Sequence, residues 1–126
     1  MSLIHIAGVL AALVGVAIIA IGARFLLAPQ RSAKDFGLPD WPHGDASGWL
    51  DIKGVRDIVS GLVLLPALLL GEFRLLGWML LAAALTPIGD AITVLRHHGS
   101  KALAYGMHGG TALAVVAIAC LLLLGH

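Results

Sequence analysis

Residues 7–23, AGVLAALVGVAIIAIGA, would form a helix with no charged side chain on any face. A helix on the surface of a water-soluble protein needs a polar face, so lipid must surround this one. The whole chain suits that environment, because 60% of its 126 residues are hydrophobic and only 12% are charged. Its mean hydropathy is +0.99. The composition therefore predicts a membrane protein.

Four apolar segments are long enough to cross a bilayer, which takes about 20 helical residues. They cover residues 3–27, 49–70, 73–96 and 102–124. Residues 28–48 form a long connection rich in Pro, Gly and Asp, which we expect to lie at the membrane surface. The other connections are short, so neighbouring helices must run in opposite directions. The sequence predicts an all-α fold with a single domain, an antiparallel four-helix bundle of up-down-up-down topology.

The positions of Lys and Arg predict the orientation of this bundle. Basic residues in short loops favour the cytoplasmic side of a membrane. The second connection carries only Arg74, whereas the first and third carry five basic residues between them: Arg24, Arg31, Lys34, Arg96 and Lys101. We therefore expect a multi-pass protein of the bacterial inner (cytoplasmic) membrane, with both termini on the outer side.

The second segment begins with a charged stretch, DIKGVRDIVSG, at residues 51–61. The apolar part that follows, residues 58–70, is too short to cross a bilayer, so the charged stretch must belong to the crossing. At about 100° per residue, several of its polar side chains share one helical face. This stripe consists of Trp49, Lys53, Arg56, Asp57 and Ser60.

The next two segments carry polar stripes of the same kind, recognised by helical spacing. The stripe of the third segment consists of Thr86, Asp90, Thr93 and His97. The stripe of the fourth segment consists of Lys101, Tyr105 and His108, with Thr111 at its edge. All three stripes lie near the ends of the segments that we expect to face the cytoplasm.

The depth of the ionisable groups indicates that the stripes meet. Counted from the cytoplasmic ends, Asp57, Asp90 and His108 all lie roughly 9–12 Å deep, at 1.5 Å per residue. Groups from three helices at one level predict a shared polar pocket in the cytoplasmic half. The first helix offers only His5 and Arg24 as ionisable groups, so we expect it to contribute little.

A pocket of this kind suits a lipophilic small molecule that enters from the membrane, such as an isoprenoid, polyketide or quinone-like compound. Carboxylates at this depth must be paired, protonated or hydrated, since their short side chains cannot reach the headgroups. We assign the chemistry to Asp57, Asp90 and His108, with Asp90 and His108 as an acid and base pair. We assign ligand contacts to eight further stripe residues: Trp49, Lys53, Arg56, Ser60, Thr86, Thr93, Lys101 and Tyr105.

Other functions explain the same residues. Lys53 and Asp57 are four positions apart on a helix and can neutralise each other. Such pairs would suit a structural or assembly subunit, which binds a second copy or another membrane protein through the small-residue faces of the first and fourth helices. Membrane carboxylates also mark proton relays, as in a proton-coupled transporter of small molecules. The sequence leaves these alternatives open.

Several functional classes have no support in the sequence. The net charge of +1 offers no basic surface for nucleic acid. His97 and His98 are adjacent in a short loop and make a poor metal site without further ligands. HExxH, phosphate-binding and dinucleotide motifs are absent from the sequence. We therefore expect no metal, no cofactor and no nucleic-acid partner, while membrane lipid surrounds the helices.

Three motifs resemble those of a known family. They are GVRDIVSGL at residues 54–62, TPIGDAITVL at residues 86–95 and SKALAYGMHGGTA at residues 100–112. Through these motifs, one in each of the last three segments, the chain resembles over most of its length the small four-helix membrane proteins of the DUF4267 family and, more distantly, DoxX-like membrane proteins. The resemblance implies that Arg56, Asp57, Asp90 and His108 belong to the family motifs. It implies a four-helix fold and assigns no reaction.

Overall fold

The computed structural model describes residues 1–125, and every regular element in that range is helical. The helices are α1 (Leu3–Leu27), α2 (Pro29–Phe36), α3 (Gly48–Val63), α4 (Leu65–Leu69), α5 (Phe73–Arg96) and α6 (Gly110–Leu124). A 3₁₀ turn, Gly44–Ser47, precedes α3, and a π-helix, Leu103–Gly109, leads directly into α6. The prediction of an all-α fold is confirmed.

Three helical stretches are long and apolar enough to cross a membrane: Leu3–Leu27, Phe73–Arg96 and Leu103–Leu124. The remaining apolar segment, predicted as residues 49–70, is divided between α3 and α4. Pro66 follows the division directly and has no N–H to donate to the Leu62 carbonyl, four residues earlier. At the division, the Leu64 N–H donates to the Gly61 carbonyl at 3.3 Å. The chain is an all-helical membrane protein with one broken apolar segment.

Glycines bring the backbones of α1 and α3 into contact. A Cβ placed on Gly22 would lie 2.5 Å from the Gly54 carbonyl oxygen, and one on Gly61 would lie 2.6 Å from the Gly15 carbonyl oxygen. No side chain fits in either place. The small-residue face of the first helix is therefore used for packing within the chain.

A second packing unit consists of α5 and the π-helix with α6. Leu76 and Leu80 of α5 and Leu122 of α6 are fully buried in its core, which α1 also contacts. Since lipid is as apolar as leucine, van der Waals packing stabilises this core more than exclusion of water does. The small-residue face of the last segment is open, because a Cβ on Gly106 or Gly110 would meet nothing within 4 Å.

The connection at residues 28–48 contains a helix, α2, that the sequence analysis placed in a loop. Pro29 begins it, at a position where the missing N–H costs nothing, and Gly37 ends it with a φ of 108°. Ser32 and Ala33 form its buried face. The Gly37 carbonyl accepts the Ser100 N–H at 2.8 Å, which ties α2 to the start of the last segment.

Candidate functional site

A cavity of about 400 Å³ lies between α1, α2, α3, α5 and the last helical segment. Most of its wall is apolar, but polar residues from all three predicted stripes reach it. Six residues of the predicted site line the cavity: Lys53, Asp57, Ser60, Thr86, Asp90 and His108. Their proposed roles stay predictions, since position alone assigns no chemistry.

Lys53 is held at the cavity wall by a carboxylate and two aromatic rings. Its Nζ donates to Asp57 Oδ2 at 2.6 Å, one helical turn away on α3. The same Nζ lies 4.5 Å from the ring centroid of Phe25 and 5.4 Å from that of Phe36. An ammonium over aromatic faces is attracted to the ring electrons, so these contacts reinforce the ion pair. Lys53 and Asp57 form the self-neutralising pair that the sequence left as an alternative.

His108 is buried, and its ring is fixed by Phe36. Its Nε2 donates to the Phe36 carbonyl at 2.8 Å, and the two rings lie in contact with their planes inclined by 52° and their centroids 4.5 Å apart. A carbonyl oxygen can only accept, so Nε2 must carry a proton. When the ring is neutral, Nδ1 is then an unprotonated acceptor. The π-helix brings His108 to this position, and such segments occur frequently at functional sites.

Asp90 lies on α5, half-buried at the cavity wall. Lys53, Asp57 and His108 line the same cavity as Asp90. None of the ion pairs formed among residues 1–125 includes Asp90. Within the same residues, no group of three or more His, Cys, Asp or Glu side chains is arranged to hold a metal ion. Asp90 therefore presents a carboxyl group to the cavity without an ion-pair partner from this part of the chain.

Trp49 and Arg56 share the predicted α3 stripe but do not line the cavity. Both are exposed. Gly54 and Gly61 turn one side of α3 towards α1, and at about 100° per residue the two side chains lie on the stripe's edge remote from those glycines. Lys53, by contrast, lies nearer the glycine side and reaches the cavity.

Thr93, Lys101 and Tyr105 also lie outside the cavity wall and are exposed. Thr93 lies at the edge of the α5 face, and its Oγ1 donates to the Gly89 carbonyl at 2.8 Å. The other two residues precede or lie within the π-helix, where bonds between residues i and i+5 widen each turn. Spacing of three and four residues therefore no longer returns to the face of His108.

The cavity has walls that the sequence analysis missed. Helix α1 contributes several residues, so the expectation that the first helix adds little was wrong. Arg24 of α1 and Asp35 of α2 line the cavity as an ion pair of 2.5 Å. The further lining residues from these helices include Val14, Ile18, Ile21, Phe25, Ser32 and Phe36. Thr111 of α6, at the edge of the predicted stripe of the fourth segment, also lines the cavity. On a helix that is apolar all round, periodicity does not separate cavity-facing from lipid-facing residues.

The fold and the apolar surfaces define a small, all-helical membrane protein. The chain matches the family described as "Domain of unknown function (DUF4267)" over residues 15–122 and belongs to that family. The resemblance seen in the three motifs is thereby confirmed, while the more distant DoxX-like resemblance stays a prediction. A search of curated proteins and a search of solved structures gave no match.

Proposed function

We propose that this protein binds a lipophilic small molecule in the cavity. The observation that carries the proposal is a space of about 400 Å³ with a largely apolar wall and a few ionisable groups. Ligand sites typically have this composition and volumes of about 300–1,000 Å³. Ionisable groups inside membrane segments are costly, and the default explanation for their presence is function.

The helix packing supports a lateral entrance from lipid. Helices α3 and α5 share little direct contact, although both line the cavity. Ser60 on α3 and Thr86 on α5 are lining residues that are also exposed. They lie about 18 Å from the start of α3 and about 15 Å from the end of α5, at 1.5 Å per residue. Those depths fall within the hydrocarbon layer, so an apolar ligand would enter between α3 and α5.

The proposed topology is an antiparallel four-helix bundle in a bacterial inner membrane. In it, α3 and α4 together make the second crossing, both termini lie outside, and the polar end of the cavity lies in the cytoplasmic half. The distribution of Lys and Arg supports this orientation. A membrane-impermeant maleimide should label Ser2→Cys but not Lys34→Cys in right-side-out vesicles, with Cys120 replaced by alanine in both variants. The opposite labelling would reverse the orientation.

Filling the cavity is expected to expel its ligand. Ala83 lines the cavity, so the ring of Ala83→Phe would occupy part of the cavity space. Lipophilic molecules that copurify with the wild type, measured by organic extraction and mass spectrometry, should fall at least about tenfold, which corresponds to about 1.4 kcal/mol of binding free energy.

The neighbouring residue provides a matched control. Ala82 is exposed and lies outside the cavity wall, so Ala82→Phe should retain the copurifying molecules. Equal retention by both phenylalanine variants, with both folded, would contradict ligand binding in the cavity. The structural and transport alternatives would then remain.

Acid and base chemistry on the bound molecule is a second candidate. The observation that favours it is the free Nδ1 of a neutral His108 on the wall that also carries Asp90. In this proposal Asp90 and His108 form the acid and base pair, and Asp57 with Lys53 orients the substrate. An identified ligand should be converted by the wild type but bound unchanged by His108→Gln. Conversion at an equal rate by the variant would remove the catalytic role.

A further inference from the structure

The two cations on the cavity wall each form an ion pair with a carboxylate of the same wall. The Lys53 ammonium donates to Asp57 at 2.6 Å, and the Arg24 guanidinium donates to Asp35 at 2.5 Å. Both cations and both carboxylates line the same cavity. Each pair is neutral, so an incoming anion would have to compete with a carboxylate that is held in place by the chain. With Asp90 the wall carries three carboxyl groups against two cations, so it offers little attraction to an acidic ligand.

Most hydroxyl groups on the wall already donate hydrogen bonds to backbone carbonyls. Ser60 donates to the Arg56 carbonyl at 2.8 Å, and Thr111 donates to the Met107 carbonyl at 2.7 Å. Ser32 on α2 likewise donates to the backbone, 3.1 Å from the Arg24 carbonyl. A hydroxyl has one proton, so these three oxygens keep only lone pairs for a ligand. Among the wall hydroxyls, only that of Thr86 forms no hydrogen bond with residues 1–125. It can therefore either donate a hydrogen bond to a ligand or accept one.

The other polar groups on the wall are acceptors. Nε2 of His108 is used by the Phe36 carbonyl, which leaves Nδ1 of the neutral ring as an acceptor. Asp90 adds two carboxyl oxygens. Pro87 and Ala83 also line the cavity, and Pro87 cannot donate the N–H that would pair with the Ala83 carbonyl in a regular helix. Apart from the two ion-paired cations, the wall thus presents mainly imidazole, carboxyl and carbonyl acceptors, and the Asp90 carboxyl has no ion-pair partner among residues 1–125.

From this imbalance we infer that the cavity selects apolar molecules whose polar end donates hydrogen bonds, a hydroxyl, phenol or protonated amine. The inference rests on the proposed function and names the ligand class for the same site. A donor group satisfies the acceptors of Asp90 and His108, whereas a ketone, ester, quinone or carboxylate would place acceptor against acceptor. Of the quinone-like compounds, the reduced hydroquinone fits and the quinone does not. Buried polar groups left unpaired are costly, so the selection should be strong.

The inference is tested with four probes that share a twelve-carbon length and differ at the polar end. They are dodecanol, dodecylamine, methyl decyl ketone and dodecanoate. Each probe is titrated by calorimetry at neutral pH into phosphatidylcholine nanodiscs that contain the wild type. Nanodiscs with Ala83→Phe give the heat of lipid partitioning, which is subtracted. Dodecanol and dodecylamine should bind at least about tenfold more tightly than the other two probes, as expected when one buried polar group would otherwise stay unpaired.

A second variant tests the role of Asp90 within this selection. Asp90→Asn replaces an acceptor by an amide, which also supplies two donors. The variant should therefore bind methyl decyl ketone more tightly than the wild type does. It should bind dodecylamine at least about tenfold less tightly, because the negative charge of the Asp90 carboxylate is gone. A purely structural role for Asp90 would weaken all four probes together, and that result would overturn the inference.

The outcomes separate this inference from the proposed function. Suppose that methyl decyl ketone or dodecanoate binds the wild type as tightly as dodecanol does, and that Ala83→Phe abolishes this binding. The donor selection would then be overturned, while the proposed binding function would stand. If none of the four probes binds the wild type more than Ala83→Phe, then both the proposed binding function and this inference fail.

Discussion

Replacing Gly22 by alanine is expected to lower the free energy of unfolding by about 3 kcal/mol, the upper part of the range for overpacked cores. The added Cβ would lie 2.5 Å from the Gly54 carbonyl oxygen and 2.8 Å from the Ile58 backbone nitrogen. Both atoms belong to the backbone, so no side-chain rotation relieves the overlap. Helices α1 and α3 must separate, and the contact at Gly15 and Gly61 opens with them.

The measurement is unfolding in mixed micelles by added SDS, followed through helical circular dichroism. Gly89→Ala is the matched control, because its Cβ would meet nothing within 4 Å in the middle of α5. Alanine there should leave stability unchanged or raise it by about 0.5–1 kcal/mol, since glycine is unfavourable inside a helix. A similar loss in both variants would show that helix propensity, and not the close approach of two backbones, determines the result.

The fold was accessible from the sequence because lipid imposes a simple rule on helix length and polarity. Residues 7–23 alone require an apolar environment, and the helices Leu3–Leu27 and Phe73–Arg96 have the predicted bounds. The division of the second segment at Leu64 was less accessible. Pro66 and Pro87 both lack an N–H, yet α5 continues through Pro87 while the other segment breaks. Local sequence did not distinguish the two prolines.

The α3 side of the cavity was predictable because an α-helix returns to one face every three or four residues. Lys53, Asp57 and Ser60 follow that rule and reach the same space. The rule fails at the π-helix, where Tyr105 and His108 diverge.

Phe36 shows a different limit of sequence analysis. It was interpreted as part of a surface loop, but it contacts both Lys53 and His108 through tertiary packing. A proline and a glycine at the two ends of α2 were the available signals for a helix there. These two residues predict the helix, but they do not predict its packing against α3 and the π-helix, because no local sequence pattern specifies a tertiary contact.

Variants at Lys53 and Asp57 allow the contribution of charge to stability to be measured separately from that of packing. Lys53→Met keeps most of the apolar stem but leaves Asp57 without its partner, in a site where the Asp57 side chain is 16% exposed. We expect a loss of about 2–3 kcal/mol in unfolding free energy, somewhat less than the roughly 3–5 kcal/mol typical of a broken, fully buried pair. The smaller value reflects the 29% exposure of the Lys53 side chain.

The double variant Lys53→Met/Asp57→Leu is expected to regain stability to within about 1 kcal/mol of the wild type, because it removes the orphaned carboxylate together with the cation. Lys101→Met controls for loss of a positive charge at an exposed position and should change stability by less than about 0.5 kcal/mol. The same SDS titration measures all three variants. If Lys53→Met is as mild as Lys101→Met, then water in the cavity already screens Asp57 and the pair adds little to the fold. If the double variant is as unstable as the single one, the cost lies in lost contacts of Lys53 with Phe25 and Phe36 and not in an unpaired charge.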